Sequence, residues 1–242
     1  MIEGWFAADG PLAQALPDFV ARQAQARMAR AVDQALERGE LCLIEAGTGT
    51  GKTFAYLVPA LVAERRVIVS TGTKNLQDQL FERDLPRLLD ALRVPARTAM
   101  LKGRSNYLCL LRMKRAMQDG AGRLVRGRDS ALQQIESWSR ATRRGEVSEL
   151  GRVVEDERLR FQITSTADNC LGARCPDFGN CFVVKSRRAA MAADLVVVNH
   201  HVLLSDVLLK EEGFGEILPG ADAVIVDLED AVPPAEKDDA RA

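Results

Sequence analysis

Residues Ala46-Gly47-Thr48-Gly49-Thr50-Gly51-Lys52-Thr53 stand between a short apolar run, Leu41–Ile44, and a helically patterned stretch from Lys52 to about Arg65. A glycine-rich turn ending in Gly-Lys-Thr, after a strand and before a helix, lets backbone N–H groups curl around phosphate oxygens. Gly49 and Gly51 permit the backbone conformations such a curl needs. The first turn of the following helix adds its positive dipole end. Lys52 is expected to reach the β- and γ-phosphates of a nucleotide, and Thr53 to place its hydroxyl on Mg²⁺. Ala46 occupies the first position, where the general pattern has Gly; Ala fits there if its φ is negative. The competing reading is a Gly/Thr-rich turn that binds nothing, and the strand–turn–helix setting argues against it.

The flanking sequence fits an α/β lobe. Residues 22–38 have amphipathic helical spacing that ends near Gly39. Leu41–Ile44 reads as a buried parallel strand, with Cys42 as a small core side chain. Val67–Thr71 is a second strand and Asn75–Leu89 a further helix; strand character returns at Leu195–Val198 and Ala223–Asp227. This alternation predicts a parallel sheet. Residues 1–100 and 191–227 are therefore assigned to one lobe, 101–190 to an insertion without strand periodicity, and 228–242 to a divergent acidic tail.

Composition narrows the function. Hydrophobic residues at 47% and charged residues at 28% are those of a globular chain. Thirty-three basic against 34 acidic side chains exclude a globally basic nucleic-acid binder, though not a local patch. No apolar run approaches the ~20 residues that span a bilayer, and Met1–Gly4 does not open a secretory signal. The expectation is a cytoplasmic protein whose cysteines are thiols or metal ligands rather than disulfides.

The insertion carries two features. Cys109, Cys170, Cys175 and Cys181 are spaced 61, 5 and 6 residues apart. Four thiolates suit an iron–sulfur cluster or Zn²⁺; the absence of tight Cys-x₂-Cys hooks leans toward a [4Fe–4S] cube, and spacing this loose also allows four unrelated thiols. Between Lys102 and Arg128 lie eight basic residues and one acidic. Such a stretch can hold a nucleic-acid strand by its phosphates, with Lys102 and Arg104 as members and Tyr107 stacking on a base, or it can be a solvated helix face. His200 and His201 are read as packed, hydrogen-bonded side chains.

Taken together, these segments resemble the first motor domain of XPD-like superfamily-2 DNA helicases, in the bacterial DinG/YoaA branch. Arg22-Gln23-Ala24-Gln25 is similar to the element that contacts adenine, and Glu45–Thr53 to the family's phosphate loop, including Ala at its first position. Ser70-Thr71-Gly72-Thr73 with Leu76–Leu80 resembles the motif that touches the DNA backbone. Leu101–Cys109 resembles the entry to the family's iron–sulfur domain, and Asp194–Asp206 the return to the motor core. The resemblance covers about residues 15–227. It implies a P-loop RecA-like lobe with a mostly helical iron–sulfur insertion, and the N-terminal part of an ATP-dependent DNA helicase of the DNA-repair type. ATP and Mg²⁺ would be held at Arg22, Gln25, Ala46, Gly47, Thr48, Gly49, Thr50, Gly51, Lys52, Thr53 and Asp227. A [4Fe–4S] cluster would be held by the four cysteines, and single-stranded or forked DNA by Thr71, Thr73, Lys102, Arg104 and Tyr107.

The chain also departs from that family. Its second ATPase motif reads Val226-Asp227-Leu228-Glu229-Asp230. Asp227 is placed to support Mg²⁺, but Leu228 stands where the family has the glutamate that polarises water. Glu229 is one residue late, and one step along a strand turns a side chain to the other face. The family's motor also has a second RecA-like domain that these residues do not supply. ATP binding with impaired hydrolysis is therefore expected; the alternative is a non-catalytic nucleotide- and DNA-binding fragment. Residues 219–242 instead resemble the start of a citrate-lyase-β-like (HpcH/HpaI) aldolase barrel. About twenty residues cannot build a barrel of ~250, so a carbon–carbon lyase is only a remote alternative.

Overall fold

The computed structural model describes residues 2–47, 49–120, 128–211 and 217–228. These fall into two compact units, one comprising residues 1–101 and 190–242 and the other 102–189.

The first unit is built on a parallel sheet. Its strands are β1 (Val67–Thr71), β2 (Thr98–Met100), β3 (Leu195–Asn199) and β4 (Ala223–Asp227), in the order β2-β3-β1-β4. In register, Val67 pairs with Leu195 and with Ala223, and Thr71 with Asn199 and with Asp227. Every residue of β1 and β3 is buried, which is why both read as unbroken β-branched runs rather than alternating ones. Val67, Val69, Leu195 and Val197 face one apolar cluster. It is completed by α1 (Pro11–Ala15), α2 (Gln23–Arg38) and α3 (Lys52–Val62), and by the π-turn Leu80–Asp84 and α5 (Leu85–Leu92), which continue from α4 (Lys74–Gln79). Ile68, Val196 and Val198 face a second cluster with Ala190, Ala193, Val202 and Leu218. Helix α2 stops where Gly39 takes a left-handed φ of 66°, a conformation cheap only for glycine. The side chain of Asn199 caps α10 (His200–Glu211) by accepting from Val202 N–H at 2.9 Å.

One expected strand is missing. Leu41–Ile44 forms no ladder with the four strands, and Leu41 and Leu43 are 101% and 91% exposed. Cys42 is likewise exposed, not a core side chain. An extended segment becomes a strand only when a neighbour accepts its hydrogen bonds; β2 and β4 are the edges of the described sheet, and neither takes this segment. On β4, the side chains of Val224 and Val226 also remain exposed.

The second unit is helical: α6 (Leu110–Gly120), α7 (Arg128–Ala141), α8 (Glu157–Ile163) and most of α9 (Phe182–Ala192). Tyr107, Leu108, Met113, Leu132, Ile135, Leu159, Ile163 and Phe182 form its core. Gly145 has φ +66°, and a Cβ there would lie 2.2 Å from the Phe182 ring. Only glycine lets the chain pass at that point, where Gly145 C=O accepts from Leu108 N–H at 2.8 Å. No described helix is long and apolar enough to cross a membrane. Residues 229–242, which hold most of the acidic tail and Glu229, lie outside the described residues, as does Thr48.

Candidate functional site

The glycine-rich turn sits at the N-terminus of α3. Gly49 and Gly51 have φ of 74° and 80°, so the loop uses both glycines as left-handed joints. Thr50 Oγ1 donates to Gly47 C=O at 2.8 Å, and Lys52 Nζ to Ala46 C=O at 2.9 Å. The lysine thus arches over the loop, its ammonium held where phosphate oxygens would compete for it. The start of α3 leaves backbone N–H groups unpaired by the helix itself, as an anion site requires.

Gln25, expected near adenine, lies against this loop. Its Nε2 donates to Gly51 C=O at 2.9 Å. A Cβ on residue 51 would collide with that nitrogen at 2.2 Å, so close contact between α2 and the loop adds a second reason for glycine. Gln25 is buried, and its Oε1 has no hydrogen-bond partner among the described residues. An orphaned buried acceptor is costly unless a ligand supplies a donor. Arg22, at the N-cap of α2, is exposed.

A residue outside the expected set ties one proposed Mg²⁺ contact to the helix that carries the other. Tyr56 follows Thr53 by one helical turn on α3. Its hydroxyl donates to Asp227 Oδ2 at 3.1 Å. Burial, then the negative Asp227, push the Tyr56 hydroxyl well above its ordinary pKa, so it is a neutral donor at all working pH. Asp227 is thereby tied to α3, the helix that carries Thr53 one turn before Tyr56. The only sequence signal for Tyr56 is its spacing from Thr53. Leu228, the next residue along, is 55% exposed.

At the other strand ends the picture changes. Thr71 is fully buried, and its hydroxyl donates to Thr73 C=O and Val198 C=O at 3.3 and 3.4 Å; it is a sheet residue, not a surface contact for DNA. Thr73 is exposed and caps α4, accepting from Leu76 N–H at 3.2 Å. Gln77 is buried and donates to Leu101 C=O and Val197 C=O, both at 3.1 Å. His200 Nδ1 and Ser70 Oγ are 2.7 Å apart, so this histidine is packed and bonded.

Within the insertion, Lys102 and Tyr107 also turn inward. Lys102 is 5% exposed and pairs through Nζ with Glu146 Oε2 at 2.5 Å. Tyr107 is 2% exposed; its hydroxyl accepts from Lys102 N–H at 3.0 Å and bonds Ser186 Oγ at 2.8 Å. A buried ammonium is stable only with such a partner, and both side chains, expected at DNA, sit in the core of the insertion in this structure. Arg104 is half-buried.

Cys109 opens α6, its N–H donating to Ile163 C=O at 2.7 Å. Burial first, then the charges of Cys175 and Cys181, push its thiol above the usual range. Those two therefore lie within electrostatic reach of Cys109. Both are half-buried, anchored in short 3₁₀ turns, while Cys170 is exposed. Among the described residues, no three Cys, His, Asp or Glu side chains close on a point that one metal ion could occupy. Asp177, in the same segment, accepts from Lys114 Nζ at 2.5 Å.

Comparison with known proteins agrees with this geometry. The chain is 51% identical to "ATP-dependent DNA helicase YoaA" of Escherichia coli over 222 residues, covering 92% of this chain and 35% of that protein. It is 46% identical to the protein of the same name from Haemophilus influenzae, covering 92% and 34%. To "ATP-dependent helicase DinG" of Mycobacterium tuberculosis it is 39% identical, covering 85% and 33%. The chain thus spans about a third of the length of these curated relatives. Residues 23–164 match the DEAD/DEAH box helicase family. That match covers more than half of the 242 residues, from Gln25 through the phosphate loop into the insertion, and the chain belongs to the DEAD/DEAH box helicase family.

Proposed function

We propose that this chain is the ATP- and single-strand-binding portion of an ATP-dependent DNA helicase of the YoaA and DinG type. The observation that carries the reading is the phosphate loop, with Lys52 arched over it and Gln25 seated behind it. Gln25 Oε1 is available to accept from the exocyclic amine of adenine. Lys52 would exchange Ala46 C=O for the β- and γ-phosphates. Thr53 and Asp227, the latter tied to α3 by the Tyr56 hydroxyl, fit Mg²⁺, which takes one or two protein oxygens and completes its shell with phosphate and water.

The insertion is proposed to hold a [4Fe–4S] cluster through Cys109, Cys170, Cys175 and Cys181. The donor chemistry fits: the four thiols lie in one unit, none of them in a disulfide, and thiolates are the ligands of such clusters. The cluster would supply a covalent crosslink between remote parts of the unit. This chain's own part is to fix Cys109 through Ile163 and to place Cys175 and Cys181 at the ends of short 3₁₀ turns.

Binding and turnover separate at Leu228. General-base assistance contributes roughly 10²–10⁴-fold, and an alkyl side chain beside Asp227 supplies none. The proposed activity of the 242-residue chain is therefore nucleotide binding with little hydrolysis. Mg-ATP should raise the melting temperature, as any ligand selective for the native state does, and Lys52→Ala should abolish the rise. ATPase assays with and without single-stranded DNA should show almost no turnover. DNA-stimulated turnover near about one per second, the low end of ordinary enzymes, would overturn the hydrolysis-impaired reading; no melting shift in the wild type would overturn nucleotide binding.

A further inference from the structure

Helix α8 buries Leu159 and Ile163 in the core of the insertion and leaves Phe161, between them, 62% exposed. Single exposed apolar side chains are ordinary. What distinguishes this one is a cation fixed to its ring. Arg112, from α6, has its guanidinium carbon 5.6 Å from the ring centroid. The same guanidinium donates through Nη2 to the Phe161 carbonyl at 2.9 Å, which ties it to the backbone that carries the ring. Arg158 lies one turn before Phe161 on the same side of α8, and Arg115 one turn after Arg112 on α6; both are exposed.

We propose that Phe161, backed by Arg112 and flanked by Arg158, is a stacking platform for a base of single-stranded nucleic acid. It rests on the reading of the chain as a DNA-binding motor portion, and supplies a contact in the insertion where Lys102 and Tyr107 are buried. A nucleobase presents a flat π-face of any sequence, an exposed phenyl ring accepts it, and the neighbouring guanidinium adds cation–π attraction. Arg158 and Arg115 complement the phosphates on either side of a stacked base. A folded protein partner would look for an apolar patch; a single ring flanked by Arg112, Arg115 and Arg158, with Glu157 the acid one turn before it on α8, matches an alternation of bases and phosphates better. The platform also adjoins the cysteine site, since Ile163, two residues on, holds the Cys109 amide.

The test uses the 242-residue chain and two fluorescent oligonucleotides of equal length, one of thymidine and one abasic, with affinity measured by anisotropy across a salt series. The wild type should prefer the thymidine strand. Phe161→Ala should weaken that strand about five- to hundredfold, leave the abasic strand unchanged and keep the salt slope. Phe161→Trp should retain the preference and show tryptophan quenching on binding. Arg158→Gln should reduce the salt slope by about one. A thymidine preference undiminished in Phe161→Ala would overturn the platform while leaving the DNA-binding reading in place. Equal weakening on both strands would also overturn it, as would a Phe161-dependent dimer with unchanged DNA binding. No binding of either strand by the wild type would instead overturn the DNA-binding reading itself.

Discussion

The two units of the chain solve the problem of placing a site in opposite ways. In the lobe, the buried strand β1 leads to Thr73 and pairs with β4, which ends in Asp227, while the buried helix α3 carries the phosphate loop at its N-terminus. The loop is then shaped by its own glycines and by Gln25. In the insertion, the segment carrying Cys170, Cys175 and Cys181 consists of short 3₁₀ turns with no buried residue in either of them. Its amide bonds are local ones, Cys175 to Gly172 and Cys181 to Phe178. A site built by a packed sheet is formed before its ligand arrives. A site built from turns without a core draws its stability from the ligand, as small metal sites do.

That contrast is broken most directly at Cys109. Cys109→Ser should lose the cluster and loosen the insertion, seen as new protease cleavage between residues 164 and 181, while Mg-ATP still raises the melting temperature of the lobe. Anaerobically purified wild type should carry about four irons per chain; stoichiometric zinc without iron would overturn the cluster. Cys42→Ser, in the exposed segment of the other unit, should change neither iron content nor cleavage.

A second break lies in the pair that opens the insertion. Glu146→Gln leaves the Lys102 ammonium buried beside a neutral amide, and breaking such a pair typically costs about 3–5 kcal/mol. Denaturant unfolding should show that loss in the helical unit. Joint replacement, Lys102→Met with Glu146→Leu, should recover much of it, because no charge is then left unpaired.

Tyr56→Phe sharpens the comparison on the lobe side. It removes the hydroxyl that donates to Asp227 and should cost about 1 kcal/mol in the metal-free protein. The Mg-ATP melting shift should persist, since the metal takes over the bridging role. If that shift disappears, the tyrosine is part of the metal site rather than its support.

The smallest effect concerns acid. Arg97, through side-chain and backbone hydrogen bonds, holds the Asp194 carboxyl down to about 2. A folded-state value below the unfolded one near 3.9 means the contact stabilises above about pH 4 and is lost as pH falls toward 2. Arg97→Ala should therefore lower the melting temperature slightly at pH 7, and the difference from wild type should shrink between pH 4 and pH 2. The pair is partly exposed, so added salt should shrink it as well.

The sequence made legible whatever depends on near neighbours. The α2 boundary follows from Gly39, β1 and β3 from unbroken β-branched runs, and the phosphate loop from eight consecutive residues. It misled where the outcome depends on a distant partner. Leu41–Ile44 has the composition of a strand, but a strand needs a distant partner to accept its hydrogen bonds, and neither edge of the four-stranded ladder pairs with it. Lys102 and Tyr107 have the composition of a DNA contact, yet Glu146, 44 residues away, and Ser186, 79 away, draw them inside. Thr71 was lost to the sheet for the same kind of reason, and Tyr56 was overlooked because its partner Asp227 lies 171 residues on.

The central claim is that the nucleotide site is preformed and the cysteine site is ligand-built. Hydrogen exchange read by mass spectrometry, on the anaerobic protein before and after iron removal by chelation, tests it with both units in one sample. Iron removal should abolish protection across residues 164–189 and leave residues 52–71 as protected as before. Mg-ATP added to the stripped protein should still slow exchange at the start of α3. Loss of protection in both regions together, or loss of the Mg-ATP effect on stripping, would contradict the account.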